Sequence, residues 1–314
     1  MAQLTPGYSV IIPVYYAAET LADLIAQLIP ALETFNSPYE VLLVNDGSKD
    51  HSWDIIQGLA DENPRIIGVN LMRNYGQHNA LLCGIRLARY DISITMDDDL
   101  QHRPETIKPL LEKLNEGYEV VYGSPRYEQH GLFRDMASVL TKIALTTIMN
   151  AETARHVSAF RAFRTRVRAA FDSYRGPTVS IDVLLTWGAE SIGYVEVGHA
   201  ARTKGVSHYN FRKLVNHALN LMTGFSTLPL RLSTWIGFLT VLFGIGVLVY
   251  VIIRYLVNGG AVAGFSFTAS IVSIFAGAQL FALGIMGEYL ARMHFRLMDK
   301  PSYVVRSRSD DPKE

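Results

Sequence analysis

Three consecutive carboxylates, Asp97-Asp98-Asp99, close an apolar run at residues 91–96. Adjacent carboxylates repel one another unless a cation is supplied, and a divalent metal is one such supply. Alternate positions of an extended backbone point the same way, so Asp97 and Asp99 are expected to face one site, with Gln101 offering a further oxygen ligand. Hard oxygen ligands suit Mg²⁺ or Mn²⁺. Taken alone, the same triplet also reads as a solvated acidic loop, and what arrives beside it decides the matter.

Two other segments deliver polar or turn residues in the same manner. One ends in Ile12-Pro13-Val14-Tyr15 and the other in Val44-Asn45-Asp46-Gly47-Ser48. Tyr15 could stack on a ring and Asp46 could accept hydrogen bonds from a nucleobase or ribose. Equally, Asp46-Gly47 could be a turn, with Asp46 a helix cap. The elements behind these residues follow from periodicity. Short apolar, β-branched runs at residues 8–14, 39–45, 65–71 and 91–96 predict buried strands. Leu21, Leu24, Ile25, Leu28 and Leu32 form one helical stripe; Ile107, Leu110, Leu111 and Leu114 form another after Arg103-Pro104. Strand-helix alternation predicts an α/β fold with a mostly parallel, Rossmann-like sheet. Ligands of such sheets bind beyond the carboxyl ends of the strands, where all three polar segments emerge.

Composition narrows the classes. With 314 residues, more than one structural unit is expected. Lys plus Arg equals Asp plus Glu at 29 each, so no global basic field exists to draw nucleic acid. The single cysteine, Cys83, leaves no intramolecular disulfide and reads as a packing residue. Residues 1–6 have neither a basic nor an apolar region of the secretory kind, so no cleavable signal is expected. Residues 232–253 contain no charge, and a helix of that length crosses a hydrocarbon core about 30 Å thick. Residues 265–286 can cross back after a turn at Asn258-Gly259-Gly260. Arg212, Lys213 and Arg231 precede the first span, and Arg292, Arg296, Lys300, Arg306 and Arg308 follow the second, which places both termini on the cytoplasmic side. The alternative is a helical hairpin buried in a soluble protein. Residues 211–222 form an amphipathic pattern that suits the bilayer surface or the soluble domain equally. The expected divisions are a catalytic domain at 1–210, a juxtamembrane segment at 211–230, a transmembrane hairpin at 231–290 and a tail at 291–314, mobile after Ser307.

The wording of the three strand ends, with Asp97-Asp98-Asp99-Leu100-Gln101-His102-Arg103-Pro104-Glu105, resembles inverting glycosyltransferases of family 2. Asn74-Tyr75-Gly76-Gln77-His78 and the paired C-terminal spans resemble the polyprenyl-phosphate branch of that family, bacterial formamido-arabinose transferases included. The resemblance implies a GT-A catalytic domain, a nucleotide-sugar donor, probed first as a UDP-sugar, and a polyprenyl phosphate acceptor such as undecaprenyl phosphate. It implies that Asp97, Asp98 and Asp99 are catalytic and that Asp97, Asp99 and Gln101 hold the metal. Pro13, Tyr15, Asp46, Asp97 and Arg161 would bind donor, Asp46 meeting the base and Arg161 belonging to a segment that closes the pocket. Arg126, Arg134, Ser138 and Arg202 would bind the acceptor phosphate, for which arginine is the suited partner. Arg134 and Ser138 share a helical face by their i, i+4 spacing. The setting implied is the inner membrane. Tyr16-Ala17 stands where the family usually has Asn-Glu, and His208 where it usually has Lys.

A phosphate acceptor is already anionic at neutral pH, so direct displacement with inversion needs no base. A processive polysaccharide synthase would show Gln-x-x-Arg-Trp and more spans, and neither is present. A non-catalytic scaffold or lipid carrier is the rival from another class. For it, Gly244, Gly246 and Gly277 would allow close helix contact in a homo-oligomer.

Overall fold

The structure, a computed structural model, describes residues 4–125, 151–176, 178–198, 222–258 and 264–311. Its elements in chain order are β1 (Thr5–Val14), α1 (Leu21–Glu33), β2 (Tyr39–Asn45), α2 (Ser52–Glu62), β3 (Ile66–Leu71), α3 (Gln77–Leu87) and β4 (Tyr90–Thr95). There follow α4 (Ile107–Asn115), β5 (Val120–Pro125), α5 (Ala151–His156), β6 (Arg161–Arg164), α6 (Ile181–Thr186) and β7 (Ile192–Val197). The chain ends in α7 (Leu228–Asn258), α8 (Phe265–Leu297) and β8 (Val305–Arg308).

Among the described residues the strands form one sheet in the order β7-β5-β6-β4-β1-β2-β3-β8. The β1–β2, β1–β4, β2–β3 and β5–β7 pairs are parallel, whereas β6 runs antiparallel to β4 and β5, and β8 runs antiparallel to β3. The twofold alternation of strand side chains explains why residues 10–14 of β1 and 41–44 of β2 are apolar on both faces. Val10, Ile12, Val14, Val41 and Leu43 enter one core with the α1 and α4 stripes. Ile11, Leu42 and Val44 enter the opposite core with Leu81, Leu82 and Cys83 of α3. Both sheet faces are thus covered. Cys83 is fully buried, and burial pushes its thiol up to about 12, which makes it an inert packing group.

Register then positions the site. Val14 lies opposite Asn45, so β1 and β2 finish together, whereas β4 ends at Thr95 opposite Ile11 and the acidic loop after it runs on toward the end of β1. The Asp46 N–H donates to the Val14 carbonyl and the Met96 N–H to the Ile11 carbonyl, carrying the alignment one step past the strands.

α7 and α8 pack against each other, and each contains a stretch long and apolar enough to cross a membrane. Those stretches are not buried inside the protein, unlike the helices of a soluble hairpin. Gly244, which the scaffold reading uses for close helix contact, faces α8 of the same chain: a Cβ there would sit 2.3 Å from the Phe275 ring. The Tyr289 hydroxyl donates to the Ser226 carbonyl (2.5 Å) and ties the outgoing helix to the incoming one. The C-terminal segment departs from its expectation as a mobile tail. It returns to the sheet as β8, and beyond Ser307 the Ser309 N–H donates to the Gly68 carbonyl while the Gly68 N–H donates to Ser309 Oγ. The expected amphipathic segment lies almost entirely outside the described residues.

Candidate active site

Beyond the carboxyl ends of β1, β2 and β4 lies a cleft of about 200 Å³, lined by Pro13, Val14, Tyr15, Asp46, Asn74, Gly76, Gln77, Asp97, Asp98 and Asp99. The three segments that sequence spacing pointed to a common edge therefore meet. The Tyr15 N–H donates to Asp98 Oδ2 (3.2 Å), linking the end of β1 to the acidic loop after β4. Within that loop the Gln101 N–H donates to Asp99 Oδ1 (3.1 Å), and Leu100 adopts φ 59°, an uncommon conformation for a bulky residue. Such strain persists only where its surroundings hold it. Tyr15 and Tyr16 are both about half exposed and meet edge to face with centroids 4.7 Å apart at the cleft.

Asp46 does something that the sequence did not disclose. It is only 2% exposed, and its two oxygens accept the N–H groups of Tyr75 (2.7 Å) and Gly76 (2.8 Å). Burial pushes its carboxyl above the ordinary carboxylate range, and those two N–H donors oppose the rise. Asp46 thus borders the cleft chiefly as the anchor of the segment that opens α3. Gly47 makes the approach possible: it has φ 66°, and a Cβ would stand 2.3 Å from the Arg73 carbonyl carbon and 2.5 Å from the Asn74 nitrogen. The anchored segment delivers Gln77, whose Nε2 donates to Asp97 Oδ1 (2.7 Å). Sequence reading marked residues 74–78 as distinctive but gave them no contact. The signal that could have found Gln77 is an amide carried on the same motif, at the start of a helix bordering the strand ends.

Metal chemistry fits the donor set. Four carboxylates and the amides of Asn74 and Gln77 line the cleft, and no lysine or arginine is among its described lining residues. Yet among the described residues no three His, Cys, Asp or Glu side chains are gathered to cage an ion by themselves. A cleft of this kind suits an ion bound by one or two carboxylates together with substrate phosphates, the usual habit of Mg²⁺. Gln101 meets Asp99 through its backbone N–H and does not line the cleft.

Arg161, expected to contact the donor, is 1% exposed. Its guanidinium is taken up by Asp182 and by Thr95 Oγ1, so it stands beneath the site and braces β4 against α6. Sequence reading missed Asp182, which carries no motif and meets Arg161 only through the fold. The Ile181 N–H, next to Asp182, donates to Nδ1 of His78 (3.3 Å), joining α6 to the start of α3. Arg126, Arg134, Ser138 and Arg202 lie outside the described residues.

The mostly parallel sheet, with its acidic loop after β4 and the antiparallel β6 beside it, is a GT-A-like fold. It is similar to that of glucosyl-3-phosphoglycerate synthase from Mycobacterium tuberculosis, whose structure was determined with Mn²⁺, UDP and glucosyl-3-phosphoglycerate (TM-score 0.52, 18% identity, 70% of this chain and 78% of that one). Mannosyl-3-phosphoglycerate synthase from Rubrobacter xylanophilus gives the same score and identity over 70% of this chain and 72% of its own. Residues 9–174 match glycosyl transferase family 2, and the chain belongs to that family. Similarity to named relatives extends further, through the helical hairpin. The chain is 34% identical to the undecaprenyl-phosphate 4-deoxy-4-formamido-L-arabinose transferase of Shewanella sediminis over 95% of its own length and 91% of the relative. It is 33% identical to the protein of the same name in Photorhabdus laumondii over 97% of this chain and 95% of that one.

Proposed function

We propose that this glycosyltransferase moves a sugar from a UDP-linked donor to the phosphate of a polyprenyl lipid, undecaprenyl phosphate by similarity, with inversion at the anomeric carbon. The observation that carries the reading is the carboxylate-lined cleft on a sheet continuous with a helical hairpin long enough to cross a membrane. The names of the relatives give undecaprenyl phosphate as the lipid and a formamido-arabinose as the group transferred.

Tyr15 offers a ring for stacking at the cleft, while Asp46 holds residues 75 and 76 and through them sets Gln77 against Asp97. Asp97 and Asp99 would hold Mg²⁺ or Mn²⁺, which when bound supplies positive charge to the departing diphosphate. Asp98 braces the loop through Tyr15. Arg126, Arg134, Ser138 and Arg202 are assigned to the acceptor phosphate, since guanidinium forks suit phosphate oxygens. That phosphate attacks the anomeric carbon as an anion, so no side chain must first remove a proton. The hairpin spans the cytoplasmic membrane with the sheet on the cytosolic side, holding cleft and lipid headgroup within reach of each other. The return of β8 to the sheet is consistent with both hairpin ends emerging on that side.

The test incubates membranes bearing the protein with labelled UDP- and GDP-sugars and lipid phosphate, with and without chelator. A UDP-sugar should pass label to the lipid phase, chelator should abolish the transfer, and Asp99→Asn should lower it by about 10²-fold or more. Folded wild-type protein that leaves every label in the aqueous phase would overturn the reading.

A further inference from the structure

A second cavity, of about 360 Å³, lies where the helical hairpin meets the sheet domain. Arg292 and Arg296, one turn apart on α8, line it together with Thr178, Trp187, Ser226 and Tyr289. No carboxylate is among its described lining residues. Arg292 is half-buried and donates to Thr178 Oγ1 (3.1 Å) and to Glu288 (2.6 Å), so one guanidinium is fixed in place and its charge balanced. Arg296 is exposed, its guanidinium 5.9 Å from the centre of the Tyr174 ring, and among the described residues no carboxylate pairs with it. The wall thus carries two guanidinium groups and hydroxyl donors, with roughly one positive charge unbalanced.

Depth identifies the ligand class. Uncharged sequence ends at Gly287, and at about 1.5 Å per residue Arg292 lies roughly 7 Å beyond it. Each headgroup layer outside the hydrocarbon is about 5 to 8 Å thick, so Arg292 stands at the level of lipid phosphates. The incoming helix agrees: Ser226 precedes the uncharged run of α7 by about the same rise and is bonded to Tyr289. We infer that this junction cavity binds the phosphate group of a membrane lipid through Arg292, Arg296 and the neighbouring hydroxyls. It shares no lining residue with the carboxylate cleft, and the inference does not require the transfer reaction. A headgroup seated there would fix the height and tilt of the sheet domain over the bilayer. If the lipid is the isoprenoid, the site holds it at the protein before transfer.

The test is native mass spectrometry of the full chain released from neutral detergent after titration with farnesyl phosphate, dihexanoyl phosphatidylglycerol, inorganic phosphate or farnesol. Lipid phosphate should be retained saturably, farnesol and inorganic phosphate should not, and Arg292→Gln/Arg296→Gln should retain one lipid phosphate fewer. Arg296→Gln alone should weaken that binding about tenfold, as loss of one charged hydrogen bond does. Retention of farnesyl phosphate alone assigns the site to the isoprenoid; retention of both esters admits the phospholipids of the bilayer. Arg134→Ala separates the two sites, since it addresses the proposed acceptor contact and changes none of the residues that line the junction. Unchanged lipid-phosphate retention in folded Arg292→Gln/Arg296→Gln would overturn the inference, as would wild-type protein that holds farnesol as well as farnesyl phosphate. If the Gln pair fails to fold, Arg296→Gln alone decides: unchanged lipid-phosphate retention in that variant would overturn the inference.

Discussion

Gln77 Nε2 lies 2.7 Å from Asp97 Oδ1, so a side chain at the start of α3 fixes the first carboxylate of the acidic loop after β4. A hydrogen bond to a charged group contributes about 1.5–3 kcal/mol, and Gln77→Ala should lower kcat/KM roughly tenfold or more. Gln77→Glu should do greater harm, because it sets a second negative charge against Asp97. Steady-state kinetics with the donor varied measure both. Equal activity of Gln77→Glu and wild type would remove Gln77 from the site.

Gly47 and Gly76 both have positive φ, yet only Gly47 is crowded: a Cβ there meets the backbone at Arg73 and Asn74, whereas a Cβ on Gly76 meets nothing within 4 Å. Gly76, at φ 94° and ψ 151°, is in a region essentially reserved for glycine, so Gly76→Ala should carry a conformational penalty of about 1–3 kcal/mol without a collision. Gly47→Ala adds a backbone collision that must push residues 73–74 away, and with them the Asp46 anchorage. It should lose several kcal/mol of stability and most donor binding. Thermal unfolding of the two variants side by side checks the order.

Asp46 gives a pH dependence with an unusual sign. Burial holds its carboxyl above the ordinary range, so the native protein takes up this proton at a higher pH than the unfolded chain does. Through this group, stability falls as pH rises from the unfolded value near 3.9 through the folded one, and acidification over that window adds stability. Protonation also removes an acceptor from the N–H groups of Tyr75 and Gly76, so donor affinity should weaken while the fold persists. Asp46→Asn should bind donor about tenfold less tightly at neutral pH and lack this acid-dependent loss. Calorimetric titration of both proteins with nucleotide sugar from pH 7 to 4 makes the comparison, with ionisation of the ligand itself cancelling between them.

The parts of this architecture legible in the sequence are those governed by local periodicity. The first four strands and the α1 and α4 stripes fall where apolar alternation places them, because each is buried by its own pattern. The acidic loop and the ends of β1 and β2 were legible for the same reason: a buried strand announces where it stops. β6 and β8 were not. Each has four residues and carries two arginines, and each is held by partners distant in sequence, β4 and β5 for one and β3 for the other. The role of Asp46 was hidden likewise, since its partners lie 29 and 30 residues away. The place of Arg161 in the donor pocket rests on resemblance alone, and its pairing with Asp182, which no local pattern announces, comes only from the fold.

β8 yields a prediction that joins the membrane hairpin to the cleft. The Met72 N–H donates to the Val304 carbonyl (2.9 Å), and Arg306 Nη2 donates to the Met72 carbonyl (3.0 Å). Met72 is two residues before Asn74, where the chain enters the cleft wall. The strand following α8 therefore grips the approach to the segment that Asp46 anchors and Gln77 terminates. Removing residues 304–314 should leave the hairpin in the membrane and the parallel core intact, since β3 still pairs with β2 along its length. The donor KM should rise by about tenfold, corresponding to roughly 1.4 kcal/mol lost in ordering residues 72–77. Arg306→Ala should have a smaller effect in the same direction, because one bond to a backbone carbonyl is removed and the ladder remains. A truncated protein with unchanged donor KM would show that β8 only covers the sheet edge.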